Sequence, residues 1–153
     1  KLKTIGDTAF GKCGALTTMT IAASVKSIGN YVFADCVGLR SVYTIGDLEK
    51  IGDYAFDGCI ALTAFGSISG GNTPTDIRIP DSVKSLGAYA FKDCAAVTSA
   101  TIGSGIESVS EGVFKNCIAL TTVDTGSVKS FSRAAFEAVS LSAMSPILPC
   151  LPL

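Results

Sequence analysis

Along the chain, an aliphatic residue is answered five positions later by phenylalanine and eight positions later by cysteine. The full pattern begins at Ile5, Ile28, Ile51, Leu86 and Val109, each start carrying its own phenylalanine (Phe10, Phe33, Phe56, Phe91, Phe114) and cysteine (Cys13, Cys36, Cys59, Cys94, Cys117). A degenerate sixth copy starts at Phe131, keeps Phe136 and has Val139 where the cysteine would fall. The unit is about 23 residues long, and the third and fourth starts are separated by one unit plus 12 further residues. A unit this short cannot bury its own apolar side, but stacking identical units in register lets each cover the next. The reading is therefore a solenoid over residues 1–139 with three core ladders: the aliphatic column, the phenylalanine column and the cysteine column.

Period-two alternation locates a strand after each cysteine. In Leu16-Thr-Thr-Met19-Thr-Ile21, Leu16, Met19 and Ile21 point inward, while Thr18 and Thr20 point outward. Stacked strands lie roughly 4.8 Å apart, so the repeat predicts a parallel sheet on one face. The segment from the aliphatic position to the cysteine, as in Gly52-Asp-Tyr-Ala-Phe-Asp-Gly-Cys59, has turn formers at both ends and is read as a short helical turn on the opposite, convex face. The predicted class is an α/β repeat solenoid, a horseshoe or short superhelix with its sheet on the concave side. The 12-residue excess is placed at Thr63–Pro74, with Gly66–Pro74 as a loop. Residues 140–153 form an apolar segment with Pro146, Pro149 and Pro152, which exclude a helix, and it is read as a cap or an oligomer contact.

Composition removes several functions. The net charge is −1, without the basic excess of nucleic-acid binders or polybasic membrane patches. No stretch reaches the roughly 20 apolar residues of a membrane helix, and no apolar signal core follows Lys1 and Lys3. The chain has no histidine, hence neither the commonest general base nor the commonest metal ligand. Carboxylates do not pair at a fixed spacing, and Gly70-Gly71 lacks the Gly-Lys-Ser/Thr that makes a phosphate loop. No cofactor, metal site or catalysis is expected.

The string Ser-Val-Lys-Ser-Ile-Gly-x-x-x-Phe-x-x-Cys-x-x-Leu-x-x-Val, from Ser24 to Val42, resembles the BspA-like (treponemal) class of leucine-rich repeats, and Ile79-Pro80-Asp-Ser-Val-Lys-Ser-Leu-Gly-Ala-Tyr-Ala-Phe91 is an especially close match. The resemblance spans about Leu2 to Phe136. It implies a leucine-rich-repeat fold in a secreted or cell-surface protein of a host-associated microbe. It also implies an adhesin-type role against host matrix proteins such as fibronectin and fibrinogen. Unlike a complete array, the sequence opens mid-repeat at Leu2-Lys3-Thr4-Ile5 with no separate capping unit.

Candidate sites follow from the repeat. The cysteines are too far apart for a zinc site and lack an activating base, so five of them read as packed thiols. Cys150, outside the ladder, is the thiol to test for intermolecular pairing. The outward sheet residues Thr18, Thr20, Ser41, Tyr43, Ala64, Gly66, Ser99, Thr101, Thr122 and Asp124 form a small-residue face, either a protein-binding surface or a plain solvated sheet. Ser67, Ile68, Asn72 and Thr73 belong to the excess segment, either a binding loop or a tolerated excursion. A charge column at Lys3, Lys26, Glu49, Lys84, Glu107 and Lys129 serves register and solubility. Tyr31, Tyr54 and Tyr89 form a tyrosine column that is either an interface or a stacked cover. Uncapped apolar ends, with Leu2 at the first, point to homo-oligomerisation as the alternative to host-protein binding.

Overall fold

A computed structural model describes residues 1–139 and the backbone of 143–145. Cys150 and the proline-rich segment around it lie outside the described residues. The chain winds as six stacked coils. Coil 1 carries β1 (Thr4–Ile5) and β2 (Thr18–Ile21); coil 2 carries β3 (Ser27–Ile28) and β4 (Ser41–Thr44). Coil 3 carries β5 (Lys50–Ile51), β6 (Ala64–Ser67) and an additional strand, β7 (Ile77–Arg78). Coil 4 carries β8 (Ser85–Leu86) and β9 (Ser99–Thr101), coil 5 β10 (Ser108–Val109) and β11 (Thr122–Asp124), and coil 6 β12 (Ser130–Phe131) and β13 (Ala143–Ser145). The longer strands form one seven-stranded parallel sheet in the order β13-β11-β9-β7-β6-β4-β2. The two-residue strands form a four-stranded sheet, β1-β3-β5-β8, and a separate pair, β10-β12.

The predicted helical turns are not present: among the described residues there is no helix. Instead, the third and seventh residues after each aliphatic start have positive φ, as at Tyr31 and Asp35, Tyr54 and Gly58, or Tyr89 and Asp93. A left-handed residue every four positions interrupts the helix path. The amides divide their work accordingly. Ala9, Gly11 and Cys13 close turns onto residues three back, while Thr8, Phe10 and Lys12 donate sideways to the Asn30, Val32 and Ala34 carbonyls of coil 2 at 2.7–2.9 Å. Successive turns closing over three residues produce the spacing Phe10, Cys13, Leu16. That spacing resembles one face of a helix, which is why the sequence pattern suggested one.

Side chains follow the backbone ladder. Phenylalanine rings stack from Phe10 through Phe33, Phe56, Phe91 and Phe114 to Phe136, with centroids 5.0–5.8 Å apart and planes within 10°. Phe33, Phe56, Phe91 and Phe114 are fully buried, each worth roughly 1.5–3 kcal/mol in transfer alone. The aliphatic column fills the side next to them, with Ile28, Ile51 and Val109 wholly inaccessible.

The segment between coils 3 and 4 adds a strand to one face only. β5 pairs directly with β8, whereas β6 reaches β9 through β7. One strand spacing of roughly 4.8 Å is thus added on the sheet side alone. Phe65, the bulkiest inward residue of that sheet, fills the widened core edge-on to Phe56 and Phe91, at 5.3 and 5.7 Å.

Close approach on the small-strand side depends on glycine. A Cβ on Gly29, Gly52 or Gly87 would come within 2.3–2.4 Å of atoms of the preceding coil. Beside them runs a ladder in which the Asp7, Asn30 and Asp53 side-chain oxygens accept the next coil's amide, at 2.8–2.9 Å. Ala88 ends that ladder. At the next junction Ser110 replaces the glycine, and its hydroxyl, rather than its amide, donates to the Leu86 carbonyl at 2.7 Å. The sheet splits at this point. Gly52→Ala is therefore expected to lower stability by about 1–3 kcal/mol through overpacking, read by denaturant titration.

Candidate binding face

The seven-stranded sheet turns two rows of side chains outward. One runs Thr18, Ser41, Ala64, then Asp76 beside β7, Ser99 and Thr122; the other runs Thr20, Tyr43, Gly66, Arg78, Thr101 and Asp124. Thr18 and Ser41 share a hydroxyl hydrogen bond at 3.1 Å. Ala64 and Gly66 occupy outward register positions yet are buried. Pro74 folds back over Gly66, its Cγ 3.0 Å from where a Gly66 Cβ would sit. Gly66, at φ 148° and with the Arg78 carbonyl 2.8 Å from that same point, admits no side chain.

The excess segment is thus a short loop plus a strand. Ser69 and Asn72 exchange backbone hydrogen bonds at 2.9 and 3.1 Å around Gly70-Gly71. Both glycines have positive φ, the geometry of a tight two-residue hairpin. Ser67, Ile68, Asn72 and Thr73 are exposed around its tip. The chain then re-enters the sheet with Asp76 and Arg78, which the sequence reading did not single out. The alternation Asp76-Ile77-Arg78-Ile79 carried the signal. Arg78 Nε donates to Asp76 Oδ1 at 2.6 Å, and the Ser99 hydroxyl donates to Asp76 Oδ2 at 3.2 Å. Asp76, Ser99, Thr101, Thr122 and Asp124 line a shallow depression. Asp124 accepts from the Gly126 amide at 2.9 Å. These groups can recognise polar or charged partners; no nucleophile with an activating base lies among them.

The other columns are structural in their geometry. The Cys36, Cys59, Cys94 and Cys117 thiols donate to phenylalanine carbonyls of the preceding coil at 3.0–3.2 Å. Burial pushes all four thiols up, Cys117 to about 12. Cys13, at the end of the ladder, is exposed and free. No group of three cysteine or carboxylate side chains that could hold a metal occurs among the described residues. The Tyr31, Tyr54 and Tyr89 rings stack at 4.8–4.9 Å, and Tyr89 lies where a Gly112 side chain would be. In the charge column, Lys26, half-buried, approaches Glu49 at 3.6 Å, and Lys129 approaches Glu107 at 3.1 Å in an exposed pair of small worth.

The match to known sequences settles the class. The description "BspA type Leucine rich repeat region" fits residues 3–70 and 69–146, in six copies. The chain belongs to this family. Its BspA-type solenoid is similar to a leucine-rich repeat protein of Bacteroides ovatus, with TM-score 0.66 and 25% identity, over 95% of this chain and 41% of that one. It is also similar to the Treponema pallidum leucine-rich repeat protein, with TM-score 0.61 and 27% identity, over 85% of this chain and 66% of that one. This BspA-type chain thus spans less than two thirds of the length of either. No curated protein matches it.

Two outcomes follow from the turn side. At pH 8, in dilute native solution, a thiol reagent should label Cys13 rapidly and the four buried ladder cysteines only on unfolding. The second concerns Asp57, whose carboxyl is held above the usual range by burial; Lys92, 3.4 Å away, opposes the shift without cancelling it. A carboxyl raised in the folded state counts against folding when ionised. Its cost is absent below the unfolded value, grows as pH rises through the raised folded value, and is constant above it. Asp57→Asn should therefore gain no more than about 1 kcal/mol at pH 7, after solvent screening, and nothing at pH 3. Thermal melts at the two pH values measure the difference.

Proposed function

We propose that the chain is a non-catalytic protein-binding module whose contact surface is the outer face of the seven-stranded sheet, centred on β7 and the Ile68–Pro74 loop. One observation carries the reading. Apart from Tyr43 the outward rows are otherwise small and uncharged, and their three charged residues, Asp76, Arg78 and Asp124, all lie on β7 or within two strands of it. Tyr43 stands one strand beyond β6, with Gly66 between it and Arg78. Tyrosine and arginine on a rigid sheet are the residue types that most often dominate protein interfaces. A loop on a rigid scaffold supplies the variable part of such a surface.

Membership of the family favours a secreted or cell-surface setting, and no helix among the described residues is long and apolar enough to cross a membrane. The partner class we favour is a host extracellular matrix protein, approached as an adhesin would. Immobilised matrix proteins should retain the folded chain. Arg78→Glu and Tyr43→Ala should each weaken retention at least about tenfold, as expected of interface anchors, and replacing residues 69–73 by a two-residue turn should weaken it less. Retention by none of the matrix proteins removes the partner class. Retention that both point variants leave unchanged removes the face.

A further inference from the structure

We infer that the corner where each turn segment passes into the sheet carries a docking ridge for a second copy of this chain, packed antiparallel about a two-fold axis between coils 3 and 4. The ridge is formed by the residue after each ladder cysteine and is separate from the sheet face above. It runs Val37, Ile60, Ala95 and Ile118 through coils 2 to 5. Val37, Ile60 and Ile118 are 48%, 52% and 65% exposed, while Ala95 is partly covered. All four close the same tight corner, each amide donating to the carbonyl two residues back at 2.9–3.0 Å. Gly14 closes the corner of coil 1 in the same way, at 2.9 Å. Glycine and alanine thus serve this position as well as isoleucine does, and the fold needs no large side chain there. Three half-exposed β-branched residues in one column have no role inside the molecule.

Beside the ridge runs a shelf of small residues, Gly38, Ala61, Ala96 and Ala119, which makes the apolar band two residues wide. Arg40 and threonines rim it on the sheet side, and Asp35, Asp93 and Asn116 on the turn side. An apolar band with a polar rim is the surface of a protein contact. The order of sizes along the ridge selects a second copy as its occupant. Coils 3 and 4 pair directly on the turn side, the Phe56 amide donating to the Ala90 carbonyl at 2.8 Å. The four positions are therefore evenly spaced, roughly 4.8 Å apart. In a two-fold contact, residue i meets j and j meets i. With the axis between coils 3 and 4, Ile60 of each copy enters the notch that Ala95 leaves between Ile60 and Ile118 of the other, and Val37 meets Ile118. A parallel arrangement sets Ile60 against Ile60 and leaves the two Ala95 notches facing each other, unfilled. Charge agrees with the antiparallel register. Asp57 comes opposite Lys92, Asp35 opposite Asn116, and no like charges meet directly. Each copy contributes less than the roughly 800 Å² of a standard interface, so the pairing is weak, with a dissociation constant on the order of 10⁻⁴ M.

The test follows the full 153-residue chain by sedimentation equilibrium in reducing buffer, from micromolar to millimolar concentration. The mean mass should rise toward that of a dimer and level off there. Ile60→Asp, at an exposed position, should melt as the parent does and stay monomeric. Ile60→Ala removes the knob and Ala95→Ile fills the notch, so each alone should weaken pairing at least about fivefold. The double variant moves the knob to coil 4 and the notch to coil 3, and should pair within about twofold of the parent. A parent that stays monomeric throughout overturns the inference. So does pairing that Ile60→Asp leaves unchanged, since the contact would then lie elsewhere. Tighter pairing of Ala95→Ile, or a double variant no tighter than the weaker single one, overturns it as well, because the antiparallel register allows neither.

Discussion

Every second amide of each turn segment has no partner within its own coil, and this shapes the rest of the molecule. A backbone amide shut away from water without a partner is costly. The Thr8, Phe10 and Lys12 amides therefore have to find Asn30, Val32 and Ala34 in the neighbouring coil. Once those bonds fix the register, equivalent side chains fall on top of one another. Columns of phenylalanine, aliphatic residues, tyrosine and cysteine are then consequences of one spacing. The left-handed conformation at Tyr31, Tyr54 and Tyr89 is unfavourable for a single residue, by roughly 1–2 kcal/mol, and it persists because the lateral bonds and the ring stack act together at each coil. The cysteines fit the same logic. A small apolar side chain is needed there, and the thiol adds a second donor to a phenylalanine carbonyl that already closes the turn.

Much of this was legible because a repeat states its constraint six times. The core columns, the inward and outward assignment of Thr18 to Ile21, and the packing of four of the five ladder cysteines follow from spacing, whereas Cys13, read as packed with them, is exposed at the end of the ladder. The helical turn was misread because turns closed over three residues place Phe10, Cys13 and Leu16 at intervals a helix also produces. Glycine, aspartate or asparagine at 35, 58, 93 and 116 was a visible mark of left-handed backbone. Tyrosine at 31, 54 and 89 carried no such mark, since its conformation comes from neighbours in space. On the candidate face, the exposed hydroxyls and Tyr43 were readable from alternation. The burial of Gly66 was not, because it depends on Pro74 folding back. Asp76 and Arg78 were missed because the excess was placed at Thr63–Pro74 and the alternation that follows it, which carries an additional strand, was not followed.

That last point bears on where individuality can reside in such a chain. Positions inside the columns are dictated by their neighbours, so the same residue types recur and say little about a particular partner. Differences concentrate where the periodic constraint lapses. The added strand is the largest lapse on the sheet side, and it brings an ion pair onto a face built mostly of small residues. The junction at Ala88 and Ser110 is the corresponding lapse on the small-strand side, where the lateral ladder loses both its side-chain acceptor and its glycine. Both fall in the middle of the stack, between coils 3 and 5. The seven-stranded sheet nevertheless runs unbroken across them, because β7 pairs on both edges with its neighbours. Continuity on one face thus compensates for discontinuity on the other. A rigid sheet carrying its exceptional residues at its centre, with a loop rising beside them, meets the physical requirements of a recognition surface without drawing on any group that the core requires.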